Sequence, residues 1–154
     1  MLQNIKKRKE GFTIIEVMIV LAIAGLIMLM VFLAVPALQR TSRNTQAKNA
    51  AAALLATITE FQNNNDGAQP TTVAVANGVI TVSGAVGSQA ATGKMQGGYI
   101  VASGTTIPTT AGTFNYGLGR KCVGNTSTAV SARAVAIGFS IESAGGVVSQ
   151  CVEG

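Results

Sequence analysis

The sequence predicts an α+β fold, with one long N-terminal helix packed on a later antiparallel sheet. Three observations predict it. From Val17 to Leu38, a run of 22 positions, there is no charged residue. Helical periodicity continues past that run as far as Phe61. Beyond it the composition shifts to Gly, Ala, Thr, Ser and Val, in short apolar runs separated by turn residues. At 154 residues the chain suffices for one ordinary domain and is too short for two.

Composition narrows the function classes. Charged residues make up 11% and hydrophobic residues 48% of the chain, the reverse of a disordered composition. There is no histidine, which excludes any mechanism needing it as metal ligand, general base or triad member. The formal charge of +5 is concentrated at one end, in Lys6, Lys7, Arg8 and Lys9.

An apolar segment follows that cluster, starting at Phe12. At 1.5 Å per residue its uncharged part is roughly 33 Å long, enough to cross a bilayer's hydrocarbon core. The basic cluster is expected to keep its own end in the cytoplasm with the rest of the chain outside, although Arg40, Arg43 and Lys48 weaken the charge bias. A cleaved secretory signal fits poorly, because its apolar core is shorter and ends at a small-x-small site. Here the one Ala-x-Ala, at Ala22 and Ala24, lies inside the run, and Val35-Pro36-Ala37 is a poor substitute. A plain membrane anchor fits the length but has no use for Glu16. A carboxylate within a membrane costs about 2–3 kcal/mol on insertion scales.

The stretch Lys6-Lys7-Arg8-Lys9-Glu10-Gly11-Phe12-Thr13-Ile14-Ile15-Glu16-Val17-Met18-Ile19-Val20 closely resembles the prepilin signature of type IV pilins. That signature is a short basic leader ending in glycine, then Phe-Thr-hydrophobic-hydrophobic-Glu opening an apolar helix. The resemblance covers roughly the first 40 residues; the remainder matches only in general organisation. It implies that a prepilin peptidase cuts between Gly11 and Phe12 on the cytoplasmic side and methylates the new amine of Phe12. Glycine before the cut lets the backbone enter a protease closely. Cleavage would leave a cationic amine at a helix end that already carries partial positive charge. Glu16, one turn further on, can face that amine or the amine of a neighbouring subunit. An unpaired charge is very unfavourable in apolar surroundings, so this pairing would set the register between subunits.

The amphipathic continuation places Ala47, Ala51, Leu54, Leu55, Ile58 and Phe61 on one stripe, with Asn49, Thr57 and Glu60 on other faces. Ala50 to Ala53 adds strong helix formers, and Asn63-Asn64-Asn65-Asp66-Gly67 supplies the stop. The expected helix runs over 12–63. Gly25 lowers helix propensity by roughly 1 kcal/mol relative to alanine. Pro36 cannot donate to the carbonyl of Phe32 and tends to kink the helix. The resemblance implies that the segment between such a glycine and proline can unwind on filament formation; Pro36 comes three residues later than in the commonest pilins. The alternative is a tolerated kink.

In the later half, Val73–Ala76 and Val79–Val82 flank Asn77-Gly78, a strong hairpin signal. This hairpin is expected in the helix-to-sheet connection as an extra ribbon. Tyr99–Ala102, Thr113–Leu118, Ala132–Ile141 and Val147–Val152 are the other strand candidates, with Ala144-Gly145-Gly146 as a turn. The helix stripe should cover one face of the sheet. Cys122 and Cys151 are the two cysteines. An exported chain favours their pairing, and the bridge resembles the C-terminal disulfide region of many pilins. Two buried thiols or a metal pair are the alternatives.

No enzyme constellation emerges. Lys94 and Lys121 lack a Ser-x-x-Lys setting, Gly97-Gly98 lacks a nucleotide-binding frame, and Glu60, Asp66, Glu142 and Glu153 are scattered. Asn125-Thr126-Ser127 fits the short N-glycan pattern. Without residues 1–11, the eleven basic and six acidic residues fall to seven and five, a net of +2. Arg120, Lys121 and Arg133 then support at most weak, salt-sensitive contact with DNA or an anionic surface.

The expected organisation is a leader over 1–11, a transmembrane or filament-core half-helix over 12–38, an amphipathic half-helix over 39–63 and a β-rich domain over 64–154. The expected function is that of a structural pilus subunit without cofactor, metal site or catalytic residue. It would wait in the cytoplasmic membrane among lipids and be lifted by the assembly machinery into an extracellular filament of its own copies. The rivals are a secretion-system pseudopilin or minor pilin, and a membrane-anchored binding domain that does not polymerise.

Overall fold

The computed structural model describes residues 11–154. The basic cluster Lys6–Lys9 and the rest of the expected leader before Gly11 lie outside the described residues. The elements are α1 (Ile14–Asn64), β1 (Thr72–Ala76), β2 (Val79–Ser83), β3 (Ala91–Lys94), β4 (Ile100–Ser103), β5 (Thr113–Leu118), β6 (Arg120–Val123), β7 (Thr126–Ala129), β8 (Val135–Ser143) and β9 (Gly146–Glu153). The chain divides into two compact units, one ending at Gln39 and the other Arg40–Gly154.

In the first unit every described residue is exposed, including Phe12 at 89% and Phe32 at 76%. The helix is apolar all round here, so no face is reserved for a core. Gly25 has nothing within 4 Å of the place a Cβ would occupy, and Pro36 sits inside the helix. Among the described residues, α1 is the one helix long and apolar enough to cross a membrane.

The second unit is an α+β domain. On its part of α1 the buried residues are Ala47, Ala50, Ala51, Leu54, Thr57, Ile58, Phe61 and Gln62, a stripe at helical spacing. Thr57 departs from the expected pattern. It lies on the buried face at 3% exposure, because its hydroxyl donates to the Ala53 carbonyl at 2.8 Å and brings no unsatisfied group with it. Leu55, expected on the stripe, is half-buried at its margin.

The helix ends as its sequence dictates. Asp66 and Gly67 take positive φ, 52° and 81°, and the Gly67 N–H donates to the Gln62 carbonyl at 2.7 Å. This closes the last turn in the Schellman manner.

The main sheet has the order β4-β5-β8-β9. Its β5–β8 and β8–β9 pairs are antiparallel, but β4 runs parallel to β5, so the sheet is mixed rather than wholly antiparallel. Parallel neighbours require a crossover, and residues 104–112 supply it. Three strands hold that crossover. Asn115 of β5 donates to the Thr106 carbonyl at 2.8 Å, Ser140 of β8 to Thr110 at 2.8 Å, and Ser149 of β9 to Pro108 at 3.2 Å. Ile107 lies on Gly138, where a Cβ would come within 3.0 Å of the Ile107 side chain.

The Asn77-Gly78 hairpin forms, with φ of 51° and 74° at the turn, as a type I′ turn requires. It is not a loose ribbon. β3 joins it in a three-stranded antiparallel sheet, β1-β2-β3, and Val73, Ile80 and Val82 enter the same core as α1. From the main sheet come Phe114, Val135, Ile137 and Phe139, with Phe114 and Phe139 stacked at 5.7 Å. The β6–β7 hairpin forms a third small sheet, tied to β9 by the Cys122–Cys151 disulfide.

Candidate functional site

Two places stand out, one in each unit: the start of α1, which the sequence singles out, and a set of contacts in Arg40–Gly154, which it does not. In the first unit, Thr13 immediately precedes α1 and Glu16 occupies its first turn. The Thr13 N–H donates to Glu16 Oε2 at 2.8 Å, and the Thr13 hydroxyl donates to the same oxygen at 2.7 Å. The Glu16 N–H in turn reaches Thr13 Oγ1 at 3.4 Å. This is a capping box, in which two orphan donors of the helix start are satisfied reciprocally. The pattern Thr13-x-x-Glu16 stands in the sequence and is the signal from which this cap is readable. Both Thr13 bonds end on Oε2, so Oε1 takes no hydrogen bond from a described residue. Gly11 and Phe12 lie just outside the helix, both exposed.

The carboxylate is therefore oriented by backbone geometry at the helix N-terminus, the end at which peptide dipoles favour negative charge. An oriented carboxylate surrounded by Phe12, Val17, Ile19 and Val20 has few chemical uses. It can receive a cation.

The second place comprises the contacts that fix α1 to the sheets within Arg40–Gly154. Sequence reasoning missed them. Asn44 pairs reciprocally with the backbone of Glu142: its amide donates to the Glu142 carbonyl at 2.7 Å, and its carbonyl accepts from the Glu142 N–H at 2.8 Å. Arg43 adds an ion pair to the Glu142 carboxylate at 2.7 Å. That hydrogen bond and charge hold the Arg43 guanidinium above its ordinary range.

Asn65 repeats the device at the other end. It donates to Gln89 O at 2.8 Å and accepts from Gln89 N–H at 2.7 Å, while also donating to the Phe61 carbonyl at 2.7 Å. Two asparagines thus pin the amphipathic helix, one near each end of its buried stripe. Between them, burial beside Phe114 pushes the Tyr99 phenol up, its ring standing edge-on at 4.7 Å.

The basic residues considered for anionic partners have internal contacts. Arg120 donates from Nε to Ser127 Oγ at 2.9 Å and from Nη2 to the Ser127 carbonyl. Lys121 lies 3.8 Å from Glu153. Arg133 donates to the Asp66 carbonyl at 3.2 Å, at the C-terminal end of α1 where a cation is favoured. Cys122 and Cys151 are bonded, with Cα atoms 6.0 Å apart. No group of three or more potential metal-ligating side chains occurs among the described residues.

Comparison with known proteins gives one match. The prokaryotic N-terminal methylation motif matches residues 6–32. No curated protein and no solved structure matches the chain. The motif is that of type IV pilin-like and pseudopilin precursors, and it spans Gly11, Phe12, Glu16 and Gly25. Together with the apolar helix it suits membrane anchoring before assembly, and it implies processing by a prepilin peptidase. Proteins built this way are structural rather than catalytic.

Proposed function

We propose that this chain is the structural subunit of a type IV pilus. The observation that carries the reading is Glu16, an oriented carboxylate in an otherwise uncharged helix start, lying within a methylation motif. Cleavage between Gly11 and Phe12 releases the leader 1–11 and leaves an amine on Phe12, which is then methylated. The part of α1 up to residue 38 stays in the cytoplasmic membrane as an anchor and afterwards packs among copies of itself in the filament core. Residues 39–63 and the β-rich domain over 64–154 form the outside.

Glu16 serves that transfer. Thr13 holds one carboxylate oxygen and leaves the other to accept the amine of a neighbouring Phe12. Burying the pair in the apolar core is tolerable only when each charge finds the other, so mis-registered subunits are rejected. Gly25 and Pro36 bracket a segment with reduced helix stability, which can lose helical hydrogen bonds as neighbouring helices close around it. The assembled fibre serves motility, adhesion or DNA uptake as an extracellular array.

A Glu16→Ala variant tests the reading. It should insert into the membrane and lose its leader as the parent does, yet yield few or no filaments in sheared surface material under the electron microscope. Filaments in parental number would refute it. A secretion-system pseudopilin carries the same motif, and retention of short fibres within the envelope, with none sheared from the surface, would favour that role.

A further inference from the structure

We propose that the free edge of β9 is a self-pairing site that takes the β9 strand of a second copy of this chain. The proposal rests on the Arg40–Gly154 unit and does not depend on the pilus reading. β9 closes one side of the main sheet and has a strand neighbour only in β8 among the described residues.

The register identifies which backbone groups are unspent. Val135 and Gly154 exchange two hydrogen bonds, N–H to O at 2.9 Å and 3.0 Å. The β8–β9 register continues from there without a bulge, Ile137 opposite Val152, Phe139 opposite Gln150 and Ile141 opposite Val148. In an antiparallel ladder the bonded pairs alternate. Val152, Gln150 and Val148 therefore bond to β8, and the N–H and C=O groups of Val147, Ser149 and Cys151 point away from the sheet.

Natural edges are blunted by lysine, proline, bulges or shortness. β9 uses none of these. It is eight residues long, carries no charge from Gly146 to Val152, and exposes Val147 and Val148 at 46% each. The other strands at sheet edges are shorter: β1 has five residues, β4, β6 and β7 have four each, and β3 has four and ends in Lys94.

The occupant follows from symmetry. An antiparallel pairing centred on Ser149 sets Ser149 against the second copy's Ser149, and Val147 against the second copy's Cys151. Every outward N–H then meets an outward C=O, so the edge is complementary to itself about a two-fold axis. The one charged residue of β9, Glu153, falls opposite the second copy's Gly145, so no like charges meet. Pairing β9 with β4 would use a strand half as long. A contact of three residue pairs is small and weak singly, and being two-fold it joins two chains side by side in a membrane or on adjacent fibres rather than successive subunits of one polar filament.

Single-cysteine additions in the full chain test this. Paired Ser149 residues would have Cα atoms about 5.5 Å apart, inside the disulfide range, whereas Gln150 residues would stand roughly 8 Å apart. Under mild oxidation of membranes that hold the full chain, Ser149→Cys should give several-fold more disulfide-linked dimer than Gln150→Cys. Adding Val147→Lys should abolish it. Equal yields from the two cysteines, or dimer that survives Val147→Lys, would overturn the proposal. Peptide mapping checks that Cys122 and Cys151 remain bonded. Where the added thiol disturbs that bond, amide exchange on the unaltered chain decides. Val147 and Ser149 should exchange more slowly in crowded than in dilute preparations, and unchanged exchange overturns the proposal.

Discussion

Asn44→Ala is the sharpest test of how α1 is held to the sheet. The substitution removes two hydrogen bonds to the Glu142 backbone, at 2.7 Å and 2.8 Å, from a half-buried position. At a net 0.5–1.5 kcal/mol each, the loss is about 1–3 kcal/mol. The folded unit Arg40–Gly154 has about 115 residues, so its unfolding entropy near the midpoint is about 0.24 kcal/mol/K and the expected fall in Tm is about 4–12 °C. The assay is thermal unfolding of the full chain in detergent, followed by the near-ultraviolet circular dichroism of Tyr99 and Tyr116. Asn44→Asp adds a sign. It keeps the acceptor for the Glu142 N–H but turns a carboxylate oxygen toward the Glu142 carbonyl, so folding favours the protonated acid and raises its pKa. Relative to the parent at the same pH, the variant should be least destabilised below the ordinary carboxylate pKa and lose stability as pH rises through the raised folded value. A melting point for Asn44→Ala within about 1 °C of the parent, or an Asn44→Asp deficit indifferent to pH, would refute the clamp.

Other perturbations have defined outcomes in the same assay. Leu54→Ala, at a fully buried position of the helix stripe, should cost about 2–5 kcal/mol. Replacing both Cys122 and Cys151 by serine, which opens a loop of sequence separation 29, should cost about 3.6 kcal/mol on the chain-entropy account. Gly138→Ala places a methyl 3.0 Å from the Ile107 side chain and 3.1 Å from its Cα, which should displace the crossover at a cost of about 1–3 kcal/mol. Amide exchange in residues 104–112 should accelerate in that variant and not in Leu54→Val.

The long helix is legible in the sequence because its signal is redundant: an uncharged run, a 3.6-residue stripe and an Asn-Gly-rich stop all agree. β5 is equally plain, since Thr113–Leu118 is bounded by glycine on both sides. The strands that escape reading are β3, β6 and β7, where Ala-Thr-Gly-Lys, Arg-Lys-Cys-Val and Thr-Ser-Thr-Ala carry too little apolar alternation. β4 is legible as a strand at Tyr99–Ala102, but its parallel direction is not, for another reason. Its direction depends on the 104–112 crossover, which is fixed by Asn115, Ser140 and Ser149, side chains that look like ordinary surface polarity until the strands are placed. Asn44 and Asn65 hide in the same way. Thr57 misleads because a hydroxyl reads as solvent-facing, although the helix itself satisfies it. The Thr13–Glu16 cap differs, since its four-residue pattern is local and readable without any tertiary contact.

The proposed role requires that the chain be cut before Phe12 and polymerised. Mass spectrometry of the N-terminus in filaments sheared from the cell surface tests it most directly. Long filaments whose subunits begin at a methylated Phe12 are the expected result. Chains that still begin at Met1 and remain in the membrane would contradict it.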